Sequence, residues 1–426
     1  MDDLKLSLFS KKRDIFLSVI FLSFILFLNL FVKYQNYRDF TSYKYKQTTA
    51  IVINQFYKTT KTKKSYFILK LKDKTGVIFY GISWKKSLKD LKNCKIRFRF
   101  RSDKIGFKNY LKGFFVPIYK VKIISCKNGI KSIISSYISK QHKTVFLKEL
   151  FCTLFLGDSI SKNARKKIQN LGISHLVAIS GFHLGVLSTI LFLIFSPFYK
   201  FFQDRHFPYR NLKLDLMALT WAILFCYLYI VGFLPSLLRA YVMLSIGYFF
   251  YIRHIEIISF QSIVLTILIV LSFYPQLLYS ISFWFSISGV FYIFIFLYYF
   301  KSLKPWQIFI LVGLWVYFMM MPIAHYIFGS FNPYQLLSPL LSAIFTIFYP
   351  LELFLHIFGY GGVLDGVVLK LFSFDISSVE IKTPLWFLIL FISTSILSVY
   401  KKIFLYILII LDMLFFAYLL YRYTFG

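Results

Sequence analysis

LGISHLVAISGFHLGVL, residues 171–187, opens a long apolar run and yet carries His175, Ser180 and His183. Polar side chains are costly at membrane depth, and those that occur there usually face a cavity or a partner. When the stretch is projected as one helix, the three polar side chains fall on one side. We expect them to line a polar path through the membrane. For each histidine, a hydrogen-bonded structural role is the alternative.

The glycines of the same stretch fall on another side of the projected helix. Gly181 and Gly185 have the spacing that lets two membrane helices approach closely, so we predict helix packing for both. Ser180 and His183 are also within reach of each other, as in a nucleophile–base pair. No acidic residue near them is placed to orient the histidine. An intramembrane hydrolase is therefore the last of three functional hypotheses.

Apolar runs dominate the rest of the chain. Of its 426 residues, 58% are hydrophobic and 21% are aromatic, and long apolar runs recur from Leu214 almost to the C-terminus. A helix needs about 20 such residues to cross a bilayer. With a first helix over Ile15–Val32, the pattern predicts about ten transmembrane or partly inserted helices. The predicted fold class is a polytopic α-helical membrane protein.

The residues before the first apolar run predict its orientation. They are basic, and no small-residue cleavage site follows the run, which indicates a retained helix with a cytoplasmic N-terminus. Lys401 and Lys402 would then lie on the external side, against the positive-inside rule. The topology after residue 330 therefore stays open.

Residues 33–150 differ from the rest of the chain in charge. They hold 29 Lys and Arg against 5 Asp and Glu, a difference of +24 within the total net charge of +33. In CKIRFRFRS, apolar and basic residues alternate as in a half-buried strand. Such a segment predicts a β-domain, and its length suits a small barrel of about five strands.

The basic side chains of that strand are Lys95, Arg97, Arg99 and Arg101. All four would point outward, in a segment with few acidic residues. A solvated surface is one interpretation, but four successive cations favour a face that binds an anion. We predict an anion-binding face here.

The cysteines of the chain show no pattern for binding metal. They form no CxxC pair, so we expect neither a metal site nor a cofactor. Cys94 and Cys126 are the two cysteines of the β-domain. If that domain is external, the oxidising compartment favours a disulfide between them, which we predict.

A second polar position lies in VGFLPSLLRAYVML. Pro235 suits the start of a helix, Ser236 follows it, and Arg239 lies one turn inside. One interpretation of Arg239 is a side chain that extends to the interface. The other is a contact with phosphate, whose oxygens the planar guanidinium matches. Under the predicted topology this helix and residues 175–183 enter the membrane from the external face, which favours a shared path.

A third segment, YIFGSFNPYQLLSPLLSAIF, contains two X-Pro steps in an apolar setting. Proline frees backbone carbonyls, which is tolerated at membrane depth only against protein or a watery cavity. We expect a broken helix here, with Ser338 on the polar path. Pro339, like Pro235, would mark a helix break.

Three motifs, in this order, resemble the ComEC competence family. LFLGDSISKNARKKIQNLGISHLVAISGFHLGVL is similar to the family's LGD…GxxHLxAISGxHxG string, GFLPSLLRAYVM to its GxxPSxxRA helix, and FGSFNPYQLLSPLLS to its LSPxxN segment. Ser342 stands where the family usually has Asn, and Trp284 where it has Gln. The resemblance covers residues 151–345.

This resemblance implies a channel of the bacterial inner membrane that moves single-stranded DNA into the cytoplasm during natural transformation. It implies an external OB-like domain, no catalytic residues and, in this short form, no C-terminal metallo-β-lactamase-like domain. The implied partners are single-stranded DNA, membrane lipids, a periplasmic DNA receptor and a cytoplasmic DNA-handling or motor protein, with an oligomer left open. The alternative is a transporter or flippase for another anion, such as a polyprenyl phosphate.

Together these signals predict five segments. They are the N-terminal cytoplasmic segment with the first transmembrane helix (1–32), the external basic OB-like β-domain (33–144), short interfacial helices (145–174), the competence-type transmembrane channel domain (175–358), and a C-terminal amphipathic segment with transmembrane helices (359–426).

Overall fold

The computed structural model describes residues 12–59, 65–74, 76–84, 91–126, 129–253, 255, 259–373 and 378–425. The chain divides into two compact units. Within the described residues, the barrel unit comprises residues 12–134 and 265–281, and the helical unit comprises residues 135–264 and 282–425. The predicted cytoplasmic residues 1–11 lie outside the described residues.

The first helix, α1 (Lys12–Thr41), runs past the predicted boundary at residue 32. Its last turns belong to the barrel. The hydroxyl of Tyr37 donates to the carbonyl of Ile105 at 2.9 Å, and Phe40 is buried against the rings of Phe79 and Phe100. These contacts explain why the helix continues after its apolar run has ended.

Five strands form a closed barrel in the order β1-β2-β3-β5-β4. They are β1 (Tyr45–Thr59), β2 (Ser65–Asp73), β3 (Ile78–Ser83), β4 (Cys94–Arg101) and β5 (Phe115–Cys126), and a short helix, α2 (Phe107–Lys112), precedes β5. β3 and β5 pair in parallel, whereas the other neighbours are antiparallel. The barrel confirms the predicted OB-like β-domain.

Alternation along β4 explains how the barrel core forms. Ile96, Phe98 and Phe100 are each 0% exposed, while Arg97 and Arg99 between them are exposed. Removing such a side chain from water contributes about 1.5–3 kcal/mol. The strand therefore has one orientation that buries its aromatic rings and keeps its charges in solvent.

The remaining described helices are α3 (Ile130–Lys140), α4 (Val145–Leu156), α5 (Lys162–Asn170), α6 (Ser174–Val177), α7 (Gly181–His206), α8 (Leu212–Val231), α9 (Pro235–Ile252), α10 (Phe260–Phe273), α11 (Ile281–Phe300), α12 (Pro305–Ile327), α13 (Ser338–Ile357), α14 (Asp365–Leu371), α15 (Leu385–Leu397) and α16 (Lys402–Phe425). Two 3-10 turns cover Pro275–Tyr279 and Pro333–Leu337, and two short strands, β6 (Ser330–Phe331) and β7 (Val379–Glu380), pair with each other.

Among the described residues, seven helices are long and apolar enough to cross a membrane. Three shorter apolar helices, α9, α10 and α15, bring the total to ten. This number matches the expectation from the sequence and confirms the polytopic fold. The long candidates are Phe16–Thr41, Gly181–His206, Leu212–Val231, Ile281–Phe300, Pro305–Ile327, Pro333–Ile357 and Lys402–Phe425.

α4 and α5 lie before α7, the first long apolar helix of the helical unit. The Thr144 side chain accepts from the backbone of Leu147 at the start of α4, and Ser161 caps α5 in the same way through Ala164. α4 ends at Gly157, whose φ of 63° is left-handed, a region that favours glycine. Most side chains of α4 are buried, so this helix packs within the unit.

Apolar clusters hold the helical unit together. One joins α7, α8 and α9 through buried leucines such as Leu184, Leu228 and Leu237. Another joins α11, α12, α15 and α16 around Tyr292 and Phe391. The first of these clusters positions α7 and α9, which carry two of the predicted motifs.

Candidate functional site

The stretch that was projected as one helix is broken in the structure. α6 ends at Val177, Ala178 and Ser180 are extended, and α7 begins at Gly181. The prediction of a continuous helical face for residues 175–183 is therefore wrong. The break is stabilised locally, because Nδ1 of His183 accepts from the backbone N–H of Ser180 at 3.2 Å and contacts its hydroxyl at 3.1 Å. This reciprocal arrangement is a helix N-cap with histidine in the place of Glu or Gln.

His183 lies inside the protein. It is 0% exposed, and its ring packs edge-on against Tyr349 at 4.7 Å and Phe345 at 5.5 Å, both on α13. A buried imidazole that accepts from a backbone amide is placed to hold the α6–α7 break. A hydrogen-bonded structural role, the alternative given for each histidine, therefore describes His183 better than a role in lining a polar path.

His175 has different surroundings, because it is exposed at the surface of α6. Its Nε2 is 3.2 Å from Oγ of Ser342 on α13. The Ser342 hydroxyl donates to the carbonyl of Ser338 at 2.7 Å, so it accepts from the histidine. Ser342 stands where the family that this sequence resembles usually has Asn. Its side chain makes a contact between two of the motifs.

A second break separates α12 from α13, as the two prolines predicted. The residues of this break bond to the end of α5: Asn332 Nδ2 donates to the carbonyl of Asn170 at 2.6 Å, and Ser338 Oγ donates to that of Gly172 at 3.1 Å. Gln335 Nε2 donates to the carbonyl of Gln169 at 3.3 Å. The last carbonyls of a helix have no partner within it, so these side chains satisfy them. We call residues 169–175 with 330–342 the polar seam.

The predicted packing glycines differ from each other. A Cβ built on Gly181 would lie 3.6 Å from that of Ala240 on α9, so the two helices approach here. A Cβ on Gly185 would meet no atom within 4 Å. Close packing at Gly185 is therefore not observed, because this side of α7 is exposed.

Arg239 neither extends to the interface nor faces solvent. It is 6% exposed, and its guanidinium donates to the backbone carbonyl of Ser282 and, at 2.8 Å, to the hydroxyl of the same residue. The ring of Phe283 lies 6.0 Å away. Arg239 therefore ties α9 to the start of α11, and both interpretations drawn from the sequence need correction. Pro235 begins α9 as predicted, and Ser236 follows it, partly exposed.

The six predicted path residues thus fall into separate environments. His175 belongs to the polar seam together with Ser338, which is buried. His183 and Arg239 are buried and bonded to protein groups. The six residues do not share one solvent-accessible surface, because the buried ones form hydrogen bonds with helix ends and with neighbouring helices.

The predicted anion-binding face lies in the barrel unit. Lys95, Arg97 and Arg99 are exposed, and Arg99 Nε donates to Gln47 at 2.8 Å. Arg101 differs, because it forms two bonds of 2.7 and 2.8 Å with Asp103. This hydrogen-bonded guanidinium lowers the pKa of the Asp103 carboxyl.

Sequence analysis missed the exposed tyrosines that lie beside these cations. Tyr45 on β1 pairs with Arg101, and Tyr119 on β5 pairs with Arg99. The two rings are 62% and 53% exposed. Cations next to exposed rings are the combination that binds single strands, since bases stack on rings while cations meet phosphates.

Cys94 and Cys126 are joined by a disulfide, and they pair across β4 and β5. The bond links the ends of the two strands. Of the other cysteines, Cys152 is buried and Cys226 is exposed.

A buried group of titratable residues also escaped the sequence analysis. It consists of His142, Glu352, His356 and Asp365. Glu352 and His356 stand one helical turn apart within an apolar span, and that signal could have identified them. Nothing local connects them to His142, which is 214 residues from His356. Asp412 on α16 is a further buried carboxyl in an apolar helix.

Comparisons with known proteins complete the description of the site. A family model described as Competence protein matches residues 154–424, which include the polar seam and Arg239. The chain is 26% identical over 129 residues to the uncharacterized protein MG316 of Mycoplasma genitalium, covering 30% of this chain and 31% of that protein. The match thus spans less than a third of the relative. No solved structure matches the chain.

The family model covers more than half of the chain, and the described residues contain seven long apolar helices. The protein therefore belongs to the Competence protein family, and its long apolar helices make it a membrane protein.

Proposed function

We propose that this chain forms the path by which single-stranded DNA crosses the inner membrane during natural transformation. The observation that carries the proposal is the polar seam, where the end of α5 and the break between α12 and α13 meet through hydrogen bonds in a mostly apolar unit. Moving one charge to the bilayer centre costs roughly 3 to over 10 kcal/mol, depending on the method. A strand with several phosphates at that depth therefore needs polar groups along its way.

Within this proposal, the predicted path residues have two roles. His175, Ser180 and Ser236 have accessible surface, so they would meet the strand. His183, Arg239 and Ser338 would keep the interrupted helices in position. Non-helical backbone at membrane depth persists only against protein or a water-filled cavity, so the breaks depend on the partners that these side chains supply.

The barrel would capture the strand before it crosses. Lys95, Arg97 and Arg99 would bind phosphates, and Tyr45 and Tyr119 would stack on bases. Base faces are available in a single strand and not in a duplex, so the tyrosines would give the preference for single strands. A cytoplasmic N-terminus followed by one crossing of α1 would put the barrel on the external side, where a periplasmic receptor could deliver DNA.

The first test is genetic. Deletion of the gene should abolish transformation while DNA still binds to the cell surface. His175→Ala should lower transformation frequency at least ten-fold, whereas His206→Ala, an exposed histidine at the end of α7, should not. Normal transformation of the deletion strain would reject the proposal, and envelope defects in its place would favour transport of an anionic lipid.

The second test uses purified protein and a labelled oligonucleotide. Changing Lys95, Arg97 and Arg99 to Gln should weaken binding and reduce the salt dependence by about two counterions, at roughly 0.7 per phosphate contact. Changing the exposed Lys104, Lys108 and Lys112 to Gln removes the same charge outside the face and is the matched control. Equal losses in both variants would show that net charge alone attracts DNA.

The tyrosines can be tested separately. Tyr45→Ser with Tyr119→Ser should reduce affinity for a single strand by about 1–3 kcal/mol per stacked base. Affinity for a duplex of the same length should not change. An equal loss for both forms of DNA would contradict the stacking role.

A further inference from the structure

Four titratable side chains from separate parts of the helical unit form one buried chain of contacts. His142 lies between α3 and α4, Glu352 and His356 lie on α13, and Asp365 begins α14. Nδ1 of His142 is 2.8 Å from Oδ1 of Asp365, and the Nε2 atoms of the two histidines are 2.9 Å apart. The side chains of His142 and His356 are 0% and 4% exposed.

The hydrogen bonds around the two imidazoles determine where protons must lie. Nδ1 of His356 is 2.7 Å from the carbonyl oxygen of Glu352. A carbonyl oxygen only accepts, so this nitrogen carries a proton. The bond between His142 and Asp365 requires a second proton. The contact between the two Nε2 atoms requires a third, because two facing lone pairs at this distance repel.

We propose that Asp365, His142 and His356 hold three protons as one unit in the folded protein. The shared proton connects α14 and the loop before it to the turn between α3 and α4, and we call this connection the latch. The three-proton unit has no net charge, whether the carboxyl is ionised beside an imidazolium or protonated beside two neutral rings. The two-proton unit has a net charge of –1. Burial disfavours the charged form, so the third proton is retained.

Two opposing effects act on the pair. Burial lowers the pKa of the His142 imidazole, while the Asp365 carboxylate opposes that effect. The other titratable group that faces the pair is Glu352, whose Oε2 is 3.2 Å from Nδ1 of His356. From α4, the ring of Phe151 stacks on His142 at 4.4 Å and the ring of Phe155 packs against His356 at 5.0 Å.

The latch closes with backbone contacts beside the pair. Gln141 Nε2 donates to the carbonyl of His356 at 3.1 Å, and the N–H of Gly361 donates to Gln141 Oε1 at 2.7 Å. A Cβ on Gly361 would lie 2.6 Å from Nε2 of His356, so glycine lets the loop cover the pair directly. Among the described residues no group of three or more His, Cys, Asp or Glu is arranged to hold a metal ion.

The proton count sets the sign of the pH dependence. In the unfolded chain the carboxyl is ionised and each imidazole has a pKa of about 6.5, so the three groups hold about three protons near pH 6.5. They hold two above that pH and four below it. Because the folded unit keeps three, its contribution to stability is largest near pH 6.5 and falls on both sides. Above it, the folding equilibrium constant falls by up to ten-fold per pH unit.

The experiment is thermal unfolding of the full chain in mild detergent with EDTA, from about pH 5.5 to 9. The contribution of the unit, measured as the difference in stability between the wild type and His356→Gln, should be largest near pH 6.5. In His356→Gln, an amide N–H can donate to His142 without a third proton, so the added loss of stability above pH 6.5 should disappear. His325→Gln is the matched control, since His325 is buried and Nδ1 bonded one turn back to Met321. It should keep the wild-type slope above pH 6.5.

Identical slopes for wild type and His356→Gln would overturn the proposal. A rise in the unfolding temperature with Zn²⁺ alone, lost in His356→Gln, would also overturn it by assigning the pair to a metal. If His356→Gln does not fold, Asp365→Asn provides the same comparison, because an amide oxygen accepts from His142 and cannot share the third proton. Retention of the wild-type slope in Asp365→Asn would equally contradict the shared proton.

Discussion

The barrel strand β4 and the break before α7 show how differently polar residues behave in the two units. Along β4, every second side chain is buried and the charged residues between them face solvent. At the α6–α7 break, polar side chains expected on one face are divided between the surface, as for His175, and the interior, as for His183. The barrel sorts its side chains by polarity, and the helical unit does not.

The difference follows from what surrounds each element. A barrel strand has water on one side and the core on the other, so polarity decides the side. A membrane helix has apolar surroundings both toward lipid and toward protein, so polarity cannot decide. There a polar residue is placed by the hydrogen-bond partner it finds, such as a helix end or a serine on another helix.

The largest effect is expected within β4. Phe98→Ala should destabilise the barrel by about 3–5 kcal/mol, because it leaves a cavity among packed rings. The neighbouring Arg97→Ala should change stability by no more than about 0.5 kcal/mol. Pulse proteolysis of the purified protein in urea measures both. Similar losses of stability for the two variants would contradict the comparison, because burial would then not follow from the alternation of side chains along β4.

The disulfide should have the next largest effect. Cys94→Ser with Cys126→Ser should destabilise the barrel by about 3–4 kcal/mol, because a closed loop of this length restricts the unfolded chain. Exposed Cys226→Ser is the control and should behave as wild type. The protein should also migrate differently with and without reductant. Free thiols at both positions in the native protein would show that the bond does not form.

Arg239 tests the helical unit. Arg239→Ala should lower stability by about 2–3 kcal/mol, because a charged donor buried between α9 and α11 is lost. The amount of protein in the membrane should fall accordingly, whereas Arg205→Ala, exposed on α7, should leave it unchanged. Immunoblots and thermal unfolding in detergent give both quantities. If Arg239→Ala is fully abundant in the membrane but DNA uptake is reduced, Arg239 would instead belong to the DNA path.

The smallest effect is expected at the polar seam. Ser338→Ala leaves the carbonyl of Gly172 without this donor, at a cost of about 1 kcal/mol. Ser188→Ala removes a serine whose hydroxyl bonds within its own helix to Gly185, and it should cost less. Thermal unfolding of the purified variants provides the comparison. A larger loss for Ser188→Ala would mean that the contacts between the two motifs do not stabilise the unit.

Much of the fold was predictable because its signals are local. The alternation of β4, the caps at Ser161 and Gly157, and the long apolar runs are each visible within a few turns of sequence. The break at residues 178–180 was missed because the apolar pattern continues through it, and a histidine takes the position at which capping boxes have Glu or Gln. The contact of His142 with His356 has no local signal at all.

By itself, the sequence determined that this is a polytopic membrane protein with a basic β-barrel, and its motifs identified the family. Apolar length and two-residue alternation are sufficient for that, since each acts within one element. Only the tertiary structure decided which polar residues meet: His175 with Ser342, Arg239 with Ser282, and His142 with His356. In an apolar environment a polar group lowers its free energy by finding a partner, and that partner is supplied by packing between distant segments.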